Sequence, residues 1–171
     1  MDLRLGAARR PVAGIMGAAE AGPERLADAE RLGELLAAQG WVVLTGGRPF
    51  GVMEAASRGA KRVAGSLTIG VLPTAEEVPS TFVDVAIRTD LGQGRNNVNV
   101  LSSDVVFACG IEGPGTASEV ALAIKNGRPV VLVAPSEAAL AFFAELGAGR
   151  VRVVGSGEAA ARVAQEFLLS R

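Results

Sequence analysis

The chain has 171 residues, 49% of them hydrophobic, with a formal net charge of −1 at neutral pH. That length fits one domain over residues 1–171 that buries roughly 70% of its unfolded surface. The charge balance excludes a nucleic-acid partner held by phosphate neutralisation. Without histidine there is no His-based acid–base chemistry and no His-ligated metal, and a lone cysteine, Cys109, forms neither an intrachain disulfide nor a multi-thiolate zinc site. No metal and no resident cofactor are expected.

No apolar run approaches the roughly 20 residues of a membrane span, so no membrane partner is expected. Met1 to Arg10 carries arginines but no apolar core of a signal peptide, which implies a cytoplasmic protein.

In chain order, Val12 to Gly17 is an apolar run that ends in Gly17-Ala18-Ala19. Pro23 to Gln39 has apolar residues at helical spacing and is stopped by Gly40. Trp41 to Thr45 reads as the second strand. Gly46-Gly47-Arg48-Pro49-Phe50-Gly51 then forms a glycine loop opening a helix over Val52 to Gly59. Leu67 to Leu72 is a strand stopped by Pro73. Phe82 to Arg88 alternates Val83, Val85 and Ile87 with Asp84 and Arg88, the pattern of a peripheral strand with one wetter face. Arg95 to Ser103 is helical, and Val105 to Cys109 is a buried strand whose thiol reads as inert. Strand, helix, strand and helix follow at Val130 to Val133, Ser136 to Leu146, Val151 to Val154 and Gly157 to Leu169.

Apolar strands alternating with helices predict an α/β, Rossmann-like, doubly wound fold. The expected sheet is mainly parallel, with about six or seven strands and helices on both faces. Such a sheet binds ligands beyond the C-terminal ends of its strands, where strand order reverses. If the first strand neighbours the one ending at Cys109, the loops at Gly17, Gly46-Gly47 and Gly113 converge on one cleft.

Gly113-Pro114-Gly115-Thr116 lies between a strand and a helix, so its backbone N–H groups and one hydroxyl can face an anion. The competing reading is a tight connection with no ligand. Glu112 beside this turn repels a phosphate unless it points away or meets a hydroxyl. Thr116-Ala117-Ser118-Glu119 matches a capping box, in which Glu119 closes on the cap N–H. The same carboxylate, directed at the cleft, can stabilise a developing cation and orient water. Arg95 stands among Asn96, Asn97 and Asn99, a polar concentration suited to a nucleotide or to an exposed first turn. Arg48 can meet a phosphate or be solvated, while Arg58, Lys61 and Arg62 read as a wet helix end.

Several of these segments together resemble a known family. Thr45-Gly46-Gly47, Gly51-Val52-Met53-Glu54-Ala55-Ala56 and Ile69-Gly70-Val71-Leu72-Pro73 match its pattern in order and spacing, as do Arg95-Asn96 and Gly113 to Glu119. The family is the LOG or "lysine decarboxylase-like" family of the SLOG superfamily. The chain looks closest to its short branch of molybdenum cofactor carrier-like proteins.

The resemblance implies a Rossmann-like homodimer that acts on a small-molecule nucleotide or another phosphorylated ligand. The family's enzymes are phosphoribohydrolases that release base and ribose 5-phosphate from nucleotide 5′-monophosphates. Carried over, Arg95 and Glu119 are the catalytic pair, and Gly113, Gly115 and Thr116 hold the phosphate. Gly17, Gly46, Gly47 and Asn96 complete the binding residues. Lysine decarboxylation has no support, since a pyridoxal enzyme needs a Schiff-base lysine and Lys61 and Lys125 occupy helix ends.

The chain also departs from the enzymes. Glu112 replaces a glycine of their P-G-G-x-G-T motif, Ala18 replaces a serine and Arg48 a third glycine, and Asn96 stands where many have lysine. These departures sustain an alternative function: a non-catalytic binder or carrier of a nucleotide or molybdopterin-type ligand.

Overall fold

The structure, a computed structural model, describes residues 9–169. The reading of Met1 to Arg10 as lacking a signal peptide falls mostly on residues 1–8, outside the described residues. Seven strands form one sheet: β1 (Val12–Gly17), β2 (Val42–Thr45), β3 (Thr68–Leu72), β4 (Val85–Arg88), β5 (Val105–Cys109), β6 (Val130–Val133) and β7 (Val151–Val154). Their order is β4-β3-β2-β1-β5-β6-β7, and every pairing is parallel. The expected doubly wound architecture is therefore present, with a sheet that is parallel throughout the described residues.

Six helices cover the sheet: α1 (Pro23–Ala38), α2 (Gly51–Ala60), α3 (Arg95–Ser102), α4 (Pro114–Lys125), α5 (Glu137–Gly147) and α6 (Gly157–Leu169). Side chains alternate across a strand, so the sheet serves two cores. Ile15, Val43, Phe107 and Val131 point to one face, where they meet Leu32 and Leu36 of α1, Val52 of α2 and Ala160 of α6. Met16, Leu44, Val106 and Leu132 point to the other, against Val100 of α3, Val120 of α4 and Phe143 of α5. Cys109 lies in the first core, and burial pushes its thiol up to about 12, which keeps it protonated and inert.

β4 is peripheral as expected, but its wetter side is the apolar one. Val85 and Ile87 are 45% and 43% exposed. Asp84, just before the strand, is also exposed but tied down, since Thr68 donates to its Oδ2 through the backbone N–H at 2.9 Å and the hydroxyl at 3.0 Å, and Lys61 donates to Oδ1 at 2.9 Å.

α1 and α2 touch backbone to backbone. A Cβ at Gly33 would collide with the Ala56 carbonyl, and one at Gly59 with the Glu30 carbonyl. Glu30 then bridges the helices by accepting from Arg58 at 2.7 Å and from Arg62. The Arg58 bond, reinforced by both positive charges, holds the Glu30 carboxyl below the usual carboxylate range.

Two outcomes follow from this contact. Alanine in place of a helical glycine ordinarily stabilises by about 1 kcal/mol. Here Gly59→Ala overpacks the contact, so we expect a net loss of about 2 kcal/mol and a fall in Tm of about 5 °C, read by calorimetry. Glu30→Gln lowers stability by about 1 kcal/mol at neutral pH. Because the folded-state pKa is depressed, this contribution is present above the unfolded value of roughly 4.3. It is lost as pH falls through the lowered folded value, so wild-type and variant melting curves converge in acid.

Candidate functional site

β1 sits between β2 and β5, and its neighbours leave the sheet in different directions. Beyond β1 the chain enters α1 on one face; beyond β5 it enters α4 on the other. The gap between these exits is a cleft of about 690 Å³, within the roughly 300–1,000 Å³ of small-molecule sites. Of the residues singled out from the sequence, Gly17, Gly46, Arg95, Asn96, Gly113, Gly115, Thr116 and Glu119 line it.

Gly47 stands apart from that lining. Its φ is +76°, its N–H donates to Thr45 Oγ1 at 3.1 Å, and its carbonyl accepts from Ser80 at 2.8 Å. A Cβ there would lie 2.9 Å from the Cα of Gly70. The glycine is explained by the turn.

Helix α4 starts earlier than a Thr116 cap requires. Gly113 is the cap in extended conformation, with φ −161° and ψ 168°, and Pro114 takes the first helical position, where its fixed φ is already helical. Thr116 is then the third helical residue and Glu119 the sixth, so the capping-box reading is overturned. Glu119 sits a turn too deep to reach the cap N–H, and no side-chain bond caps α4. Gly113 and Gly115 meet no packing demand, since a Cβ at either would find nothing within 4 Å. The bare backbone at the helix start opens on the cleft.

Glu119 is buried instead against α3. Asn99 Nδ2 donates to its Oε1 at 3.0 Å. Burial, the dominant influence, pushes its carboxyl above the usual range, against the opposing pull of Asn99 and Arg95. Asn99 lies one turn beyond Arg95 on the same helix face, which is the sequence signal for its place here. Its Oδ1 is buried without a hydrogen-bond partner among the described residues.

Arg95 is 7% exposed and donates through Nη1 to the Val71 carbonyl at 2.8 Å. Its Nε is buried without a hydrogen-bond partner among the described residues. Desolvation lowers its pKa, and only the charges of Glu119 and Glu77 act the other way. The guanidinium passes so close to the loop after β2 that a Cβ at Gly46 would collide with it. Asn96 donates to Ser118 Oγ at 3.0 Å, and that hydroxyl donates to the Gly115 carbonyl at 2.7 Å, so α3 is pinned to the first turn of α4.

The two odd charges of the sequence take definite places. Glu112 turns away from the cleft to Arg25, whose Nε lies 3.5 Å from its Oε1. Arg48 lines the cleft and pairs with Glu77, with Nε 3.0 Å from Oε1 and Nη2 donating to Oε2 at 3.4 Å. Arg58 and Arg62 are tied to Glu30, and Lys61 to Asp84. Neither lysine of the chain lines the cleft. Among the described residues no group of three or more acidic or cysteine side chains is placed to hold a metal ion, and no helix is long and apolar enough to cross a membrane.

Known proteins are similar to this chain in sequence and fold over most of its length. The structure of the molybdenum cofactor binding protein from Rippkaea orientalis is 49% identical, with a TM-score of 0.88 over 94% of this chain and 98% of that one. The Moco carrier protein from Chlamydomonas reinhardtii is 45% identical, with a TM-score of 0.89 over 95% of this chain and all of that one. A protein of Archaeoglobus fulgidus is 42% identical over 122 residues, covering 71% of this chain and 79% of its own. The model of the SLOG cluster 4 family matches residues 10–163. The chain belongs to the SLOG cluster 4 family, which bears out the resemblance carried by its glycine loops.

Proposed function

We propose that this protein is a carrier that holds the molybdenum cofactor, or a closely related phosphorylated pterin, in the cleft between β1 and β5 without chemical turnover. The observation that carries the reading is the start of α4. Gly113 and Gly115 leave backbone N–H groups bare toward the cleft although neither packing nor dihedral geometry asks for glycine there. A helix N-terminus of this kind receives a phosphate. Near-complete alignment with two proteins described as binding or carrying the molybdenum cofactor supports that ligand over a free nucleotide.

The buried pair supports holding over hydrolysis. Breaking a glycosidic bond through a cationic transition state needs an ionised carboxylate at the reacting carbon. Glu119 is instead buried, with Oε1 held by Asn99 of the neighbouring helix. In the carrier reading, Arg95 and Asn96 on the lining supply polar contacts to the ligand, and Asn99 holds Glu119 from behind. A second reading, a nucleotide 5′-monophosphate phosphoribohydrolase, rests on Arg95 and Glu119 lining one cleft.

Loading decides between the two. Protein incubated with molybdenum cofactor released from a molybdoenzyme, then desalted, should retain molybdenum and oxidisable pterin fluorescence near one equivalent each. Retention of neither, together with steady release of free base from purine or pyrimidine 5′-monophosphates, would falsify the carrier reading. A Gly115→Ala variant separates ligand from fold at the same place. Alanine in the first turn should raise stability by up to about 1 kcal/mol, while its methyl group intrudes on the bound phosphate and lowers cofactor retention. A variant both more stable and fully loaded would place the phosphate elsewhere.

A further inference from the structure

We infer that the cleft is built for a ligand that is anionic at both ends, with Arg48 as the residue that selects for the second charge. The inference rests on the carrier reading and deepens it.

One anionic end belongs at the start of α4. The other belongs where Arg48 from the loop after β2 and Arg95 from the start of α3 both line the cleft. The two guanidiniums feel each other, since the charge of Arg48 helps to lower the pKa of Arg95. A guanidinium carries five N–H donors. Arg95, more than nine-tenths buried, gives one to Val71, and among the described residues its Nε has no acceptor. A buried cation so sparsely paired is costly unless something in the cleft completes it.

The charges facing the cleft support an anion there. Its lining contains two arginines, Arg48 and Arg95, and one carboxylate, Glu119. Glu112 is drawn off to Arg25. Glu77, the partner of Arg48, lies outside the lining, on a shallower recess formed with Pro49, Phe50, Thr74, Glu76 and Val78. Both guanidiniums on the lining keep donors toward the cleft while Glu77 balances Arg48 from outside it.

Arg48 is also held in place rather than waving in solvent. The pair with Glu77 fixes one edge of the guanidinium, and its Cζ lies 6.0 Å from the centroid of the Phe50 ring. A cation so positioned loses little freedom when it meets an anion, so its contribution goes to discrimination between ligands.

Calorimetric titration with a series of alkane-α,ω-bisphosphonates and their chain-matched monophosphonates tests the inference. At the best-fitting chain length the bisphosphonate should bind wild type about tenfold tighter or more. Arg48→Met keeps the apolar stem over Phe50 and should collapse that ratio toward one, and Arg48→Lys should restore part of it. Melting curves of both variants should show that the fold is kept.

Equal affinity for the two series, or a preference that survives Arg48→Met, overturns the two-ended site. Failure of both series to bind at millimolar concentration overturns it too. Cofactor loading of wild type judges the carrier reading separately, so a protein that retains the cofactor yet shows no bisphosphonate preference keeps the carrier and loses the second anionic end.

Discussion

Gly14 of β1 lies beside Val106 of β5 in parallel register, as do four further residue pairs from Ala13 to Gly17. Everything at the site depends on this contact. It joins two halves of the sheet whose crossovers lie on opposite faces, and the chain parts above it because each strand must reach its own helix. The parting creates a cleft without any cavity being carved from the core. It also sets the bare start of α4 opposite the loops after β1 and β2, and all these ligand-facing backbones belong to rigid strand ends.

Close backbone approaches then bring α3 into the site. The Arg95 guanidinium passes Gly46 at a distance no side chain at that position would allow, and ends on the carbonyl of Val71 in β3. Asn96 and Asn99 reach from the same helix to Ser118 and Glu119 of α4. The resulting wall is polar but buried, with a guanidinium nitrogen and an amide oxygen that have no hydrogen-bond partner among the described residues. In a stable protein, buried polar atoms left open beside a cleft point to a partner that is not part of the chain.

This arrangement also separates holding a ligand from cleaving one. The family's hydrolytic pair is present in kind, an arginine and a glutamate, but the carboxylate is desolvated and anchored by Asn99.

Strand positions and the glycine loops were legible in the sequence because parallel strands covered on both faces must be continuous apolar runs. Val105 to Cys109 and Val130 to Val133, buried throughout, are strands read from those runs. The convergence of three loops followed from the switch-point rule once β1 was set beside β5. Other features depended on what each side chain meets across the fold. Pro114 moved the helix start forward and took Glu119 out of cap range; Arg25 drew Glu112 aside; Glu77 fixed Arg48; the turn after β2 and the nearby Gly70 accounted for Gly47; and Thr68 and Lys61 tied down Asp84 beside β4. Spacing along one chain reports which residues share a face. It carries no information on the partner from a distant element, and electrostatic partners decide whether a charge faces a ligand or the protein. The sequence by itself determined the fold and the place of the cleft; only the tertiary structure decided the charge and chemistry inside it.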